Sequence, residues 1–352
     1  MAACGRSLEI PTVPSRLSLP RLTTILFACL AAAAIASTAR SEMVYVASFS
    51  SGELVRFDST DPVGTRTTLV AGGTLVSPTS LAFGPDGKLY IGASGDGGAT
   101  APSIARYDIG LNSLSTVYTF AYDIFPGSVA FKGADLLVGR NPFFGDIGAI
   151  VQLAGITSGP PTQSNYTSGG SLASSPGLAV ASDGSLYVSD QTYNFLTFTA
   201  SGPVKRFDSS GTYVGEVIAN AASSLAGPTG LVINGDTLYT ASIMNGLILA
   251  TDLTTDITSV FANTLTPFAT SSLAQLSNGN LLAGDASGAN LFEIYRFANN
   301  GSLIGSYDLG LGQVGGITVA PVPEPGTLTL VGIGLVAGAA LLRRRRQATM
   351  AE

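Results

Sequence analysis

The chain has 352 residues, of which 11% are charged, and it contains no His and no Trp. Without His, the chain cannot by itself form a Ser-His-Asp triad, a Cys-His pair or a His-ligated zinc site. Its formal net charge is −6 at pH 7, and low charge with 43 Gly residues is typical of an extracellular β-rich protein rather than a cytosolic helical enzyme.

Positive charge is concentrated at the two ends of the chain. Residues 41–322 contain nine Lys and Arg against 20 Asp and Glu, so this central span has a net charge of −11. A protein that binds nucleic acid needs a basic face for the phosphates. The acidic central span therefore argues against nucleic acid as a partner.

Residues 1–39 have the pattern of a secretory signal peptide. Basic residues precede the apolar stretch LTTILFACLAAAAIA at 22–36, and the small residues that follow offer a site for signal peptidase. A non-cleaved anchor is an alternative that the short apolar stretch disfavours. A lipoprotein acylated at Cys29 is another, although the residues around it fit a lipobox poorly. The other cysteine, Cys4, also lies here, so the mature chain is expected to have no thiol or disulfide.

One sequence pattern recurs throughout residues 43–321. SPTSLAFGPDGKLYIGAS at 77–94 returns as SPGLAVASDGSLYVSD at 175–190, and equivalent apolar positions lie 42 to 53 residues apart. A period in the forties made of short strands is typical of the blades of a β-propeller. Further copies begin at 126, 227 and 271, and the aligned apolar residues are Leu81, Val129, Leu178, Leu231, Leu273 and Ile317.

Each repeat predicts four strands in succession. An inner strand is followed by a Gly-containing turn such as Asp86-Gly87, because Gly tolerates the positive φ that a hairpin requires. LYIG or LYVS then alternates as a second strand, and segments such as SIARYDI and STVYTF supply the third and fourth. The first two strands are predicted at 78–84, 88–94, 177–181 and 185–190 in two of the repeats.

The two ends of this domain complement each other. MVYVASFSSGELVRFDSTDP, from residue 43, has a second and a third strand but no first, and GGITVAP at 315–321 is a lone inner strand. Pairing these segments closes the ring and leaves no open sheet edge at the junction. The paired end segments form one blade and the five complete units form five more, which predicts an all-β, six-bladed propeller. A seven-bladed ring is the alternative, because the unit that begins at 126 is weak.

The repeat resembles those of six-bladed NHL-like and gluconolactonase-type propellers over roughly residues 43–321. Many propeller families share the D-G-x-L-Y-V pattern, so the resemblance implies a fold more strongly than a function. In some enzymes of this architecture, Glu, Asn and Asp side chains hold a divalent metal at the mouth of the channel. The resemblance therefore directs attention to the position just after the second strand of each repeat.

That position holds few potential metal ligands. Only Asp190 and Asp285 are acidic, and Arg140 is basic, so a catalytic metal is disfavoured and no cofactor is expected. We expect the two aspartates to face the axial channel as turn-capping residues, although their oxygen ligands would also suit a structural Ca²⁺. The full set is Ser48, Ala93, Arg140, Asp190, Ser242 and Asp285.

The chain ends in VPEPGTLTLVGIGLVAGAALLRRRRQATMAE. Residues 327–342 are apolar and predict a transmembrane helix of about 24 Å, short against a bilayer core of about 30 Å. Pro323 and Pro325 hold the preceding segment extended. The four arginines at 343–346 are expected to stop translocation and to keep residues 347–352 in the cytoplasm. They are Arg343, Arg344, Arg345 and Arg346.

This order of Pro-Glu-Pro, short apolar helix and arginine cluster at 322–346 resembles the PEP-CTERM sorting signal of Gram-negative bacteria. The resemblance implies that an exosortase recognises Pro323, Glu324 and Pro325 and cuts nearby. It also implies transient anchoring in the inner membrane, followed by delivery to the cell surface or extracellular matrix. A plain single-pass anchor is the alternative.

Two classes of function are open for the exported domain. The first is a non-enzymatic surface, matrix or biofilm protein whose loops or channel mouth bind an extracellular polysaccharide, another polymer or a surface protein. The second is a secreted hydrolase, lactonase or lyase that uses a divalent metal bound in the channel. The absence of His and the scarcity of acidic residues after the second strands favour the first.

Overall fold

The computed structural model describes residues 41–122, 124–141, 148–194, 199–220, 224–264, 270–287 and 293–321. These residues form 26 β-strands, and no helix capable of crossing a membrane occurs among them. The predicted signal peptide at 1–39, the transmembrane helix at 327–342 and the cytoplasmic tail at 347–352 lie outside the described residues.

The described strands form six four-stranded antiparallel sheets, which are the blades. From the axis outward, blade 1 consists of β26 (Val314–Val319), β1 (Met43–Ser48), β2 (Leu54–Asp58) and β3 (Thr67–Val70). Blade 2 consists of β4 (Pro78–Phe83), β5 (Leu89–Ala93), β6 (Ser103–Asp108) and β7 (Ser113–Thr119). Blade 3 consists of β8 (Phe125–Lys132), β9 (Asp135–Asn141), β10 (Ala149–Ala154) and β11 (Thr162–Asn165).

The second half of the ring repeats this arrangement with one insertion. Blade 4 consists of β12 (Gly177–Val180), β13 (Leu186–Ser189), β16 (Val204–Phe207) and β17 (Tyr213–Ile218). A separate hairpin, β14 (Thr192–Asn194) and β15 (Thr199–Ser201), is inserted after its second strand. Blade 5 consists of β18 (Pro228–Asn234), β19 (Thr237–Ser242), β20 (Leu247–Asp252) and β21 (Ile257–Asn263). Blade 6 consists of β22 (Ser272–Gln275), β23 (Leu281–Gly284), β24 (Ile294–Phe297) and β25 (Leu303–Tyr307).

The first strands of the blades contact one another in a closed ring. Each touches the next in the order β26, β4, β8, β12, β18 and β22, and β22 returns to β26. Blade 1 is closed by the last strand, because Val46 of β1 pairs with Ile317 of β26. The prediction of six blades completed by the two end segments is thus confirmed, and the four predicted strand ranges agree with the observed bounds within one residue at each end.

Apolar side chains fill the six interfaces between neighbouring blades. Each interface has its own cluster of buried residues, with large members such as Phe57, Tyr90, Phe207 and Phe297. Burial of a side chain of this size stabilises the fold by about 1.5–3 kcal/mol. The described residues include no cysteine, so blade-to-blade packing takes the place that disulfides have in many secreted domains.

Small residues allow the inner strands to approach one another. A Cβ atom added to Gly177 would lie 1.8 Å from the carbonyl oxygen of Thr229, and one added to Gly315 would lie 1.8 Å from that of Pro78. No side chain fits at that separation. Gly is therefore required where these inner strands approach the next blade.

Hydroxyl groups join five of the six blade interfaces near the axis. In each case a Ser or Thr Oγ donates to a backbone carbonyl of the next blade over 2.5 to 3.1 Å. Bonds of this kind contribute about 0.5–1.5 kcal/mol each. At the remaining interface, between blades 1 and 2, the close approach of Gly315 takes their place. The donors are Thr79, Ser128, Ser189, Thr229 and Ser271.

Aspartate turns end the third strand in four blades. Their carboxylates accept hydrogen bonds from nearby hydroxyl and backbone N–H groups, which lowers the pKa of each carboxyl below its ordinary value. The four residues are Asp58, Asp108, Asp208 and Asp252, for which the largest causes are the Ser41 hydroxyl, the Leu111 N–H, the Ser210 hydroxyl and the Thr254 hydroxyl, respectively.

These turns predict how stability depends on pH. A carboxyl whose pKa is lowered by folding stabilises the fold above its unfolded pKa of about 3.9, and this contribution is lost as the pH falls through the folded pKa. Because the chain has no His, we expect the urea midpoint of the purified protein to stay level from pH 8 to pH 5 and to fall below about pH 4. Asp208→Asn, which cannot titrate, should make the acid loss smaller. A midpoint that is unchanged at pH 2.5 would contradict the prediction.

Candidate functional site

A cavity of about 270 Å³ opens where the inner strands begin. We call it the mouth, and define it by six of the residues that line it, which come from every blade except blade 4. A narrower cavity of about 80 Å³ follows the axis beyond it and is lined by small residues such as Ser80, Gly177 and Gly316. The six defining residues of the mouth are Phe49, Thr79, Asn141, Thr229, Ser271 and Gln313.

Phe49 and Gln313 stand side by side in the mouth wall. Phe49 follows the last residue of β1, and its N–H donates to the carbonyl of Gln313 over 2.8 Å. The N–H of Gln313 in turn donates to the hydroxyl of Ser50 over 3.1 Å. The hydroxyl of Ser48 anchors the same turn by donating to the carbonyl of Leu311 over 2.6 Å. These bonds fix the backbone of both residues before any ligand arrives.

Asn141 is oriented by the neighbouring blade. Its Oδ1 accepts a hydrogen bond from the N–H of Ser175 over 2.8 Å. Its amide packs against Gly127, where an added Cβ would lie 2.3 Å from Nδ2. The Nδ2 group makes no hydrogen bond with the part of the chain that the structure describes. It is therefore available as a donor at the mouth.

Strand register supports the alignment of the six positions that follow the second strands. Gly177 pairs with Ser189, and Ser272 pairs with Gly284, so Asp190 and Asp285 are equivalent residues of blades 4 and 6. Blade 5 separates them. The structure therefore does not bring the two aspartates together as one acidic pair.

Asp190 belongs to a buried ion pair. It is 6% exposed, and its Oδ2 lies 2.6 Å from the Nζ of Lys205. Its Oδ1 accepts a hydrogen bond from the N–H of Ala173 over 2.6 Å, and Lys205 donates a further bond to the carbonyl of Ser171 over 2.5 Å. The Asp190 carboxylate is thus fully bonded, and these bonds hold the segment at 171–173 that leads into blade 4.

Asp285 lies at the junction of blades 6 and 1. It is 1% exposed, and its Oδ1 accepts the N–H of Ser287 over 2.5 Å, while its backbone carbonyl accepts the N–H of Val314 over 2.7 Å. Beside it, the carboxylate of Glu293 accepts the N–H groups of Leu311 and Gly312 over 2.5 and 2.8 Å. Both acids support the backbone that leads into the closing strand.

None of the predicted channel residues Arg140, Asp190 and Asp285 is among the described residues that line the mouth or the axial cavity. Arg140 is half-buried near the end of β9. The carboxylates of the two aspartates accept hydrogen bonds from nearby backbone N–H groups. That the three side chains face the channel stays a prediction. Among the described residues no group of three acidic, His or Cys side chains could hold a metal ion.

Lys205, Phe49 and Gln313 were not predicted from the sequence. Lys205 had a visible signal, because its equivalents in the other third strands are Val, Ala, Leu or Tyr. A lone Lys among apolar residues indicates a buried partner. Phe49 also had one, as an aromatic residue in a polar turn. Gln313 had no such signal in the sequence, since it comes to lie beside Phe49 only when the ring closes.

The sorting motif, Pro323, Glu324 and Pro325, and the four arginines at 343–346 lie beyond the described residues. Sequence comparison identifies the kind of segment that ends the chain. Residues 321–346 match the PEP-CTERM protein-sorting motif. The chain is therefore an exported protein with a C-terminal sorting tail, a substrate of the exosortase kind of processing enzyme.

Comparisons of the whole chain support the fold and nothing finer. A chain in a crystal structure of a nidogen/laminin complex is similar with a TM-score of 0.62, and the match covers 80% of this chain and 99% of that one. The two sequences are 13% identical, so the likeness concerns the propeller fold alone. No curated protein sequence matches this chain significantly.

Proposed function

We propose that this protein is a non-enzymatic component of the cell surface or extracellular matrix whose propeller binds a polymer, glycan or protein there. The PEP-CTERM tail carries this proposal, because it is attached directly to the strand that closes the ring. Cleavage near Pro323-Glu324-Pro325 would release an intact propeller. The carboxylates of Asp190 and Asp285 are already bonded to other groups of the protein.

The absence of an enzymatic role is part of the proposal. The runner-up is a secreted lactonase, hydrolase or lyase with a divalent metal in the channel, and Ca²⁺ is the metal that its oxygen ligands would suit. Turnover of lactones or polysaccharides by the purified protein, dependent on added Ca²⁺ and lost in Asp285→Asn, would favour the runner-up. We expect no such turnover.

Processing of the tail provides the direct test. We expect mass spectrometry of the surface or secreted fraction to find a C-terminus near Pro323-Glu324-Pro325, because the short apolar run at 327–342 is marginal as a permanent anchor. Replacing all three motif residues by Ala should leave the full-length protein in the inner membrane.

A matched control for the tail is Gln347→Ala, which lies beyond the arginine cluster and should be processed normally. The same fractions should be compared for the unaltered protein and both variants. A mature C-terminus at Glu352 in the unaltered protein, with all of it in the inner membrane, would mean that the tail is only an anchor.

A further inference from the structure

We propose that the mouth is a binding subsite for one neutral sugar ring. This inference rests on the proposed function, since it names a ligand class for the exported propeller. It is carried by the composition of the mouth, by one aromatic residue whose backbone is held in place, and by side-chain amide N–H groups that make no hydrogen bond with the described part of the chain.

The described lining of the mouth is uncharged. Its side chains are an aromatic ring, hydroxyls, two amides and small apolar groups. The nearest acids in the repeat, Asp190 and Asp285, are buried in bonds of their own. A charged ligand would find no opposite charge among these residues, and its desolvation would not be offset. The described lining therefore favours a neutral ligand.

Phe49 provides a flat surface in the mouth. It is 41% exposed, and among the described aromatic residues only Phe49 and Tyr122 are exposed, the others being buried or half-buried. Its backbone is held by the bond to Gln313, so contact with a ligand orders only two side-chain torsions. The C–H face of a pyranose ring packs well on such a surface.

The two amides suit the hydroxyls of a sugar. Asn141 offers Nδ2 as a free donor, and the side-chain amide of Gln313 makes no hydrogen bond with the described part of the chain. An amide both donates and accepts, as a sugar hydroxyl does. One amide lies at the end of β9 in blade 3 and the other on the residue just before the closing strand, so they can hold different hydroxyls of one ring.

The size of the mouth limits the ligand to a single ring. Its volume of about 270 Å³ is close to the lower end of small-molecule sites, at about 300 Å³. The axial cavity of about 80 Å³ beyond it is too narrow to admit the next residue of a polysaccharide. The ligand is therefore the terminal residue or a side branch of a glycan, and not a chain threaded through the ring.

Calorimetry on the full-length protein in detergent tests this inference. The probes are cellotriose, maltotriose and tri-N-acetylchitotriose, with tetragalacturonate as an acidic sugar and tetraglycine as a peptide. At least one neutral trisaccharide should bind, and its methyl monoglycoside should retain most of the affinity. Phe49→Ala should weaken binding about tenfold, and Gln313→Ala about threefold to tenfold. Ile257→Ala, an exposed apolar truncation on the outer strand of blade 5, should change nothing.

Several results would overturn the inference. They are failure of every neutral sugar to bind, binding that both mouth variants leave unchanged, and binding of tetragalacturonate or tetraglycine that Phe49→Ala abolishes. Unchanged circular dichroism of the variants excludes misfolding. Tail processing and delivery to the surface are measured separately. Protein that is sorted correctly but binds no neutral sugar would contradict this inference and leave the proposed function standing.

Discussion

Gly315→Ala is expected to destabilise the body by about 3 kcal/mol or more, although it adds a single methyl group. Gly315 lies between Val314 and Gly316, which pair with β1, at the junction where blade 1 meets blade 2. The new Cβ would lie 1.8 Å from the carbonyl oxygen of Pro78. Because that atom belongs to the backbone, β26 must move away from blade 2, and the packing of the closing strand against blade 2 is lost.

The change in the free energy of unfolding can be measured by urea denaturation of the purified protein. Gly215→Ala is the matched control, because Gly215 lies in the outer strand β17 and nothing is within 4 Å of its added Cβ. It should be neutral or slightly stabilising. Equal midpoints for the two variants would show that closure does not depend on the contact between Gly315 and Pro78.

Lys205→Met is expected to cost about 3–5 kcal/mol of stability, because it leaves Asp190 charged and buried without its cation. The two side chains are 11% and 8% exposed, and their charged atoms are 2.6 Å apart. The carbonyl of Ser171 also loses its donor. Replacing both partners by apolar residues should recover most of the loss, which distinguishes an unpaired charge from a packing defect.

Lys88→Met tests the same chemistry at the surface. Lys88 lies 3.1 Å from Asp108, but their side chains are 32% and 20% exposed, so water replaces the lost partner. The expected cost is at most about 1 kcal/mol. A loss of stability for Lys205→Met as small as that for Lys88→Met would contradict the stabilising role that we assign to the buried ion pair of Asp190 and Lys205.

The propeller could be predicted from the sequence because the same packing and turn requirements recur from blade to blade. Small residues must precede Leu81 and its equivalents at the crowded axis, and Gly87 must take a positive φ of 72° in the turn that follows. These needs recur in every repeat and therefore become visible as a period. The complementary half-units at 43 and 315 made the closure predictable as well.

The candidate site was less predictable, since it depends on contacts that no local pattern records. Asp190 was identified with its correct place in the repeat, yet its partner Lys205 lies on another strand, beyond an inserted hairpin. Phe49 and Gln313 become neighbours only when the last strand joins the first. A mouth shared by several blades is specified by the ring as a whole and not by any one repeat.

Closure by the last strand also sets the order in which the ring can be completed. β1 is the first strand of the body to be synthesised, and its inner edge has no partner until Val314–Val319 has been made. The sorting motif begins at residue 321, immediately after that strand. A chain that stops early would therefore keep an open edge, which invites proteolysis and misassembly. The ring can therefore close only after synthesis has reached the residues next to the sorting motif.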